Sequence, residues 1–409
     1  MTVQTLDAPP AARPTLSLVE FVALMAMLSA TIAFSIDAML PALPEIGATL
    51  SPDDPNAAQL VIVAFVFGLG LGTLFSGPLS DAIGRKAVML GGAGLYCGAA
   101  AWAAFAPSLE ALLLARVVQG MGASGPRVAA QAMIRDLYMG RGMAKVSSFV
   151  MMTFTLVPAV APLLGAFIIA GFGWRGIFWA FVLFSGITGL WLALRQPETL
   201  SPGRRRPVRL ASLVHAAREV LGHANVRRAI MVQALVFGIL FSTITSVQPI
   251  YDRTFDAADT FPLWFGAVAI VAGSASFLNA KLVERLGMLW LLRRALGFHV
   301  VLSTGLGVAW SSGLLPDGAR FPVFLLWQVG SFALAGLTVG NLNAIAMQPM
   351  GHIAGMAASV ISALSTVLSV VIAAPIGLAF DGTPVPLMAG TALCGGAALW
   401  LATRLREEV

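Results

Sequence analysis

Three charged side chains lie inside long apolar runs of this sequence, where their types and spacing suit proton and ligand chemistry. Asp37 occurs in "SIDAMLP", and Arg116 and Arg127 lie eleven residues apart in a later run, where a helix turns them to the same face. Because a charge removed from water is costly unless it is paired, each should face a cavity or a partner. We expect Asp37 to carry a proton and Arg116, at a similar depth, to modulate that proton.

These residues also have structural interpretations. Asp37 precedes Pro41 and Pro44, which weaken the hydrogen-bond ladder of a helix, so its carboxylate could instead cap loosened backbone amides. Arg127 could extend towards lipid headgroups or the mouth of a cavity.

The stretch "GPLSDAIGRK" (77–86) separates two apolar runs and concentrates charge, glycine and proline. Gly77, Gly84 and the proline permit a sharp turn, and Arg85 and Lys86 would hold that turn at one face of a membrane. The turn itself does not require Asp81, which indicates a further role for this carboxylate.

No catalytic or cofactor-binding pattern in the sequence is supported by its surroundings. "GMGASG" (120–125) has the spacing of a dinucleotide fingerprint, but no strand precedes it, and small residues on an apolar helix serve close packing. Cys97 and Cys394 fall in separate apolar runs and imply neither a disulfide nor a metal framework. We therefore expect no enzyme activity, no metal and no cofactor.

The elements that must position these residues are membrane-spanning helices. Hydrophobic residues make up 58% of the 409 residues and charged residues 11%, whereas soluble proteins have about 25% charged residues. The apolar runs are long enough to cross about 30 Å of hydrocarbon as helices and lack the alternation of a membrane β-strand. The predicted helices are 17–44, 57–79, 87–106, 109–134, 143–170, 175–194, 228–250, 260–280, 288–312, 321–343, 353–379 and 385–403.

Basic residues set the orientation of these helices. With both termini in the cytoplasm, 20 of the 25 lysines and arginines fall on the cytoplasmic side and three on the outside. This asymmetry follows the positive-inside rule, so the net charge of +6 reflects topology and does not indicate a nucleic-acid partner.

The chain divides into two halves. The polar stretch "RQPETLSPGRRRPVRL" interrupts the apolar pattern near mid-chain, and the residues after it are compatible with either a surface helix or a solvated connector. A shift of 203 residues places Gly84 on Gly287 and Asp81 on Glu284, which indicates an internal repeat. The predicted regions are a tail (1–16), an amino-terminal bundle (17–194), a cytoplasmic linker (195–227), a carboxyl-terminal bundle (228–403) and a second tail (404–409).

Uncharged polar residues are distributed over the predicted helices of the second half. Some should line a cavity, although each could equally bridge two helices. The candidates for a substrate cavity are Gln233, Gln248, Gln328 and Asn341.

These motifs resemble those of the major facilitator superfamily. "GPLSDAIGRK" is similar to its loop signature G-x-L-x-D-x-x-G-R-K, and "RVVQGMGAS" is similar to the helix-four motif of its drug/proton antiporters. "DAMLPALP" resembles the helix-one motif of twelve-helix exporters, while "RDLY", "WRGIF" and "FDGTPVPL" are most similar to the bicyclomycin/chloramphenicol-resistance branch. The matched residues are Gly77, Leu79, Asp81, Gly84, Arg85 and Lys86 in the loop, Arg116, Gln119, Gly120, Gly122 and Ala123 in helix four, and Asp37, Pro41, Leu43 and Pro44 in helix one.

The helix-five motif departs from the antiporter signature G-x-x-x-G-P-x-x-G-G. Pro162 and Gly165 match it, whereas Val157, Ala161 and Ala166 stand at its other glycine positions. The departure bears on export more than on fold, because the same architecture also serves uptake. Pro158, Pro162 and Gly165 form the candidate motif here, in a helix that we expect to be kinked and tightly packed.

The resemblance implies an all-α membrane protein with twelve transmembrane helices in two pseudo-symmetric six-helix bundles. It implies a monomer in the bacterial inner membrane that exchanges protons for small amphipathic toxic compounds by alternating access. Asp81 would hold the two halves together at the cytoplasmic side while the transporter faces outward. The alternatives are uptake or facilitated diffusion of a metabolite by the same fold and, outside transport, a membrane-embedded enzyme or sensor.

The charge asymmetry predicts that residues 51–56 lie outside the cell and residues 204–206 inside. A single cysteine introduced as Ser51→Cys, in a chain lacking Cys97 and Cys394, should react with a membrane-impermeant thiol reagent on intact cells. Labelling that requires permeabilised cells would reverse the predicted orientation.

Overall fold

The computed structural model describes residues 16–208 and 210–407, and no strand occurs in these two ranges. The α-helices are α1 (Leu18–Asp37), α2 (Leu43–Leu50), α3 (Leu60–Ile83), α4 (Arg85–Ala104), α5 (Leu109–Leu137), α6 (Gly140–Arg195), α7 (Leu210–Gly222), α8 (Ala224–Arg253), α9 (Phe261–Leu286), α10 (Met288–Ser311), α11 (Asp317–Met347), α12 (Ala354–Leu378) and α13 (Val385–Ala402). Short 3₁₀ turns cover Leu40–Ala42, Pro55–Gln59, Pro202–Arg204 and Gln348–Ile353.

These helices provide the twelve predicted crossings. Eight continuous helical stretches in the described ranges are long and apolar enough to span a membrane, and two of them, 140–195 and 317–378, are long enough to cross it twice. The first of these two bends at Gly173, whose φ of 64° interrupts α6, and a 3₁₀ turn divides the second into α11 and α12. The less apolar α5 and α10 complete the set, so the predicted all-helical fold is confirmed.

The helices pack as two groups. Helices α1 to α6 pack mainly among themselves, as do α8 to α13, and the principal contacts between the groups are α3 with α12 and α6 with α9. Helix α7 lies in the segment between the groups and packs on α8 and α12 through Leu213, Ala216 and Val220, all buried. Two pairs of helices therefore form most of the boundary across which the groups meet.

The two ends of the helices differ in charge, and these ends define two faces. The basic face carries Arg85, Lys86 and the arginines at 204–206, whereas the acidic face carries Asp53 and Asp54 in the loop after α2.

Helix α5 lies between α3 and α4 because small residues let the backbones approach. A Cβ atom at Gly120 would overlap the Phe65 carbonyl on α3, and one at Gly122 would lie 2.6 Å from the Tyr96 amide nitrogen on α4. The "GMGASG" stretch is thus a packing surface, in agreement with its interpretation from sequence.

Gly120→Ala should destabilise the protein by about 1–3 kcal/mol, because the added methyl group meets backbone that cannot move aside without separating α3 from α5. Gly98→Ala on α4 is the matched control, since no atom lies within 4 Å of a Cβ built there. Thermal unfolding in detergent, followed by loss of the monodisperse peak in size-exclusion chromatography, should show a lower midpoint for Gly120→Ala alone. Equal midpoints for the two variants would contradict this account of the packing.

Candidate functional site

Asp37 is the last residue of α1, where the helix gives way to a 3₁₀ turn that contains Pro41. Its side chain is 4% exposed, and no other aspartate or glutamate in the described ranges is buried. Its carboxyl group forms no hydrogen bond or ion pair with any residue in those ranges. The alternative role, capping the loosened backbone amides, is therefore not what this conformation shows. A buried carboxyl group without a partner is available for a proton or a ligand.

Arg116 is fully buried on α5, and its guanidinium bonds to three different segments. Its Nη2 donates to the Ser35 carbonyl on α1 (3.0 Å), its Nε to the Val61 carbonyl on α3 (3.1 Å), and its Nη1 to the Gln119 Oε1 on its own helix (2.7 Å). The Phe65 ring lies 4.4 Å from the guanidinium carbon and covers it. The guanidinium thus fills the gap between α1, α3 and α5.

Arg116 contacts the end of α1 through a backbone carbonyl and not through the Asp37 carboxyl group. It holds the carbonyl of Ser35, two residues before Asp37, while the Ser35 hydroxyl lies 2.5 Å from the Tyr96 hydroxyl on α4. The neighbouring positions of α1 and α5, which a coupling between the two charges requires, are present. The end of α1 is consequently fixed up to Ser35 and interrupted directly after Asp37.

The helix-five motif lies on the other side of this interruption. Pro158, Pro162 and Gly165 are inside α6, and Gly165 is packed directly on the carbonyl of Ala38. The helix-one motif at the end of α1, the helix-four motif on α5 and the helix-five motif on α6 therefore meet near Asp37.

The 77–86 motif comprises the last two turns of α3, the connection at Gly84 and the start of α4, all at the basic face. Gly77 and Pro78 lie inside α3, so the prediction that they permit the turn is wrong, and Gly84 alone makes it. Gly84 has a φ of 111°, which side-chain-bearing residues rarely adopt, and it both ends α3 and begins α4. Arg85 pairs with Asp81 and also donates through Nε to Asp136 at the end of α5 (3.1 Å). The Asp136 carboxylate additionally accepts from the Thr199 hydroxyl (3.0 Å), so the motif is bonded to the segment after α6.

Glu198 is a second anchor of this motif, and sequence reasoning missed it. Its carboxylate accepts from the backbone amides of Arg85 (2.9 Å) and Lys86 (3.0 Å), the first two residues of α4. Glu407 accepts from the Leu289 amide (3.0 Å) near the start of α10, which is the corresponding helix of the second group. The only signal in the sequence was an acid shortly after the last helix of each half.

A cavity of about 350 Å³ lies between the two groups of helices and reaches the basic face. Its walls come from α3 and α5 on one side and from α8, α11 and α12 on the other. The lining residues include Thr73, Gly77, Asp81, Arg85, Arg127, Gln131, Arg135, Gln233, Phe237, Asn343, Met356, Ser359 and Ser362.

The acidic face is closed by contacts between the groups. Asn56 donates through Nδ2 to the Phe380 carbonyl (2.8 Å) and accepts from Arg253 through Oδ1 (3.4 Å). Deeper in the protein the Ser246 hydroxyl donates to the Gln59 Oε1 (3.4 Å). The protein is therefore open at the basic face and shut at the acidic face.

The four amide side chains proposed to line a substrate cavity occupy different places. Gln233 lines the cavity at the basic face, whereas Gln248 borders a space of about 20 Å³ at the acidic face. Gln328 accepts from the Tyr251 hydroxyl (2.9 Å), and Asn341 donates to Asn279 (2.9 Å), both within the second group. In this conformation only Gln233 meets the larger cavity.

Comparison with known proteins identifies the family. Residues 22–403 match the family model described as the Major Facilitator Superfamily. The chain belongs to that superfamily. It is a multi-pass membrane transporter and not an enzyme.

Relatives in the same superfamily align with most of the chain. An uncharacterized transporter of Bacillus subtilis is 26% identical over 389 residues, covering 94% of this chain and 95% of the relative. A bicyclomycin resistance protein homolog of Haemophilus influenzae is 30% identical over 68% of this chain and 70% of its own. A chloramphenicol resistance protein of Pseudomonas aeruginosa is 30% identical over 74% of this chain and 77% of its own.

Solved structures show the same fold. The structure of a D-xylose–proton symporter superposes with a TM-score of 0.78 over 96% of this chain and 99% of that chain, at 15% sequence identity. At that identity the likeness establishes the architecture alone.

Glu198→Ala should loosen the start of α4, because two backbone amides lose a charged acceptor. We expect the amides of Arg85 and Lys86 to exchange hydrogen about tenfold faster or more, as a loss of about 1.5 kcal/mol of local stability implies. Hydrogen–deuterium exchange with mass spectrometry of the purified protein in detergent measures this directly.

Glu407→Ala is the matched control for that measurement. It should leave exchange at the start of α4 unchanged and accelerate exchange around Leu289. Unchanged exchange at Arg85 and Lys86 in Glu198→Ala would show that the carboxylate does not hold the motif.

Proposed function

We propose that this transporter exports small amphipathic toxic compounds in exchange for protons. Two relatives of at least 30% identity over two thirds of the chain are named for resistance to bicyclomycin and chloramphenicol, which favours export over uptake. The observation that carries the proton coupling is Asp37, the sole buried carboxylate in the described ranges, which lacks any partner there. A group that must take up and release a proton in each cycle cannot be permanently engaged in an ion pair.

In the proposed orientation the basic face is cytoplasmic, as are both termini, and the protein acts as a monomer in the bacterial inner membrane. The cavity is then open to the cytoplasm, and the contacts of Asn56 and Gln59 close the outer side. A compound from the cytoplasm or the inner leaflet can enter this cavity, which suits the loading step of an exporter.

We assign alternating access to rocking of the two helix groups, corresponding to residues 17–194 and 228–403, about the boundary formed by α3 with α12 and α6 with α9. Gly77 approaches the Ser359 hydroxyl across this boundary at the basic face, and Gly266 on α9 packs on Ala159 of α6. Small residues at these contacts permit sliding without large side chains having to disengage.

Asp81 is suited to stabilise the opposite, outward-facing state. It lines the same cavity as Gly355 and Met356 in the first turn of α12, whose helix amino-terminus attracts an anion. Closure at the basic face would bring the carboxylate towards this turn. The pairing of Asp81 with Arg85, and of Arg85 with Asp136, holds the motif in position meanwhile.

Proton and substrate should compete through the end of α1. Protonation of Asp37 removes a negative charge beside the interruption of α1, where Arg116 fixes the chain on one side and Gly165 packs on the other. Entry of one proton across 100 mV gains about 2.3 kcal/mol, which is a useful amount for returning the empty transporter.

Expression of the protein in a pump-deficient bacterial strain should raise resistance to some members of a chemically diverse panel of toxic compounds. Asp37→Asn should abolish that resistance, and in proteoliposomes it should abolish drug-driven proton release, because an amide cannot carry the proton. Arg285→Gln, an exposed residue at the end of α9, serves as a control of unchanged activity. Intact proton/drug exchange by Asp37→Asn would reject the role of this carboxyl group, and accumulation of substrate inside expressing cells would favour uptake.

A further inference from the structure

The cavity at the basic face is lined by charges from one helix group alone. The charged lining residues Asp81, Arg85, Arg127 and Arg135 all belong to α3 to α5. The lining residues of the second group are uncharged, and the polar ones among them are Gln233, Asn343, Ser359 and Ser362. The electrostatic character of the cavity is therefore set by the amino-terminal group.

The charges that line this cavity do not balance. Arg85 is neutralised by its contacts with Asp81 and Asp136. Arg127 and Arg135 form no ion pair or side-chain hydrogen bond with any residue in the described ranges. Two guanidinium groups thus face the cavity without an acceptor from the described part of the chain.

Arg127 is the more consequential of these two groups. Arg135 is exposed, whereas Arg127 is half-buried and lies eight residues deeper on α5, a rise of about 12 Å. Arg135, at the mouth of the cavity, is accessible to water in this conformation. Closure of the cavity would strip water from Arg127, which is costly unless an anion accompanies it.

Gln233 on α8 supplies an independent indication of a ligand. It is 4% exposed, it lines the cavity, and its Oε1 atom has no hydrogen-bond donor in the described ranges. Buried amide groups are ordinarily satisfied, so this side chain has the capacity for a partner that residues 16–208 and 210–407 do not provide. Rotation of the amide presents either its oxygen or its nitrogen, so it can bond to a polar group next to an anion.

Apart from uncharged polar residues of α3 and α5, the remaining wall of the cavity is apolar. Phe237 and Val339 from the second group face Val128 and Pro78 from the first, and Met356 lies near the basic face. A ligand that fits has an apolar body and a negatively charged group.

We infer that this cavity binds amphipathic organic anions, with Arg127 as the contact for the anionic group and Gln233 as the contact from the opposite helix group. The inference rests on the proposed transport function and names the substrate class. Such a site would also disfavour closure of the empty transporter, because closure without the anion leaves Arg127 desolvated and unpaired.

The test compares how tightly three probes bind to the full chain in nanodiscs at neutral pH. The probes have similar shapes and differ in charge. The probes are 1-naphthaleneacetate, 1-naphthaleneacetamide and 1-naphthylmethylamine, and isothermal titration calorimetry gives the affinities. The acid should bind about tenfold more tightly than the amide or the amine, the size of effect expected from a charge-assisted hydrogen bond.

Arg127→Gln should reduce the affinity of the acid to that of the amide and leave the amide unchanged, whereas Arg127→Lys should retain most of the preference. Arg285→Gln removes the same charge away from the cavity and should bind all three probes as the wild type does. Failure of the acid to bind, equal affinities in the wild type, or a preference that survives Arg127→Gln would each overturn the proposal. A monodisperse peak in size-exclusion chromatography establishes that each variant is folded.

Drug resistance of cells expressing the protein separates this inference from the proposed function. If the wild type confers resistance but shows no preference for the acid, the export proposal stands and the anion site is rejected. If the wild type binds the acid through Arg127 but confers no resistance and exports no compound, the anion site stands and export is rejected.

Discussion

A guanidinium without water must find hydrogen-bond acceptors among its neighbours, and for Arg116 this requirement joins α1, α3 and α5. Its acceptors are carbonyls of α1 and α3 and the amide of Gln119. Removing any of these helices would leave a buried charge with unsatisfied N–H groups, at a cost of several kcal/mol. The glycines of α5 allow the helices to approach closely enough for the bonds to form. The bond to the Ser35 carbonyl also fixes the chain two residues before Asp37.

The charged residues that are at least half-buried are of two kinds, those paired within the protein and those without a partner in the described ranges. Arg116 and Arg85 are fully engaged by the protein, so they stabilise one arrangement of their helices. Asp37 and Arg127 have no partner in the described ranges, and they lie towards opposite faces, near the closed and open ends respectively. Unpaired charges raise the energy of any state that dehydrates them. A transporter can use that energy, because a proton or a substrate that neutralises the charge changes which state is favoured.

The sequence was sufficient for the fold because the relevant physics is local. Each apolar run had to be a helix to satisfy its backbone in lipid, and Pro41 and Pro44 marked the interruption of α1. The glycine at the start of α4 recurs at α10, where Gly287 also has a positive φ, as the repeat predicted.

Side-chain partners were less accessible from the sequence, because they depend on which helices meet and at what height. The sequence placed Gln233, Gln248, Gln328 and Asn341 together as candidates, yet packing directs three of them elsewhere in this conformation. The acceptors of Arg116 are backbone carbonyls, which no residue pattern reveals, and Glu198 bonds across a separation of more than a hundred residues. The same contact occurs in both halves. Glu198, which follows α6, accepts hydrogen bonds at the start of α4, and Glu407, which follows α13, accepts one at the start of α10. Each half therefore holds the ends of two of its own helices together, and neither bond depends on α7 or on the other half.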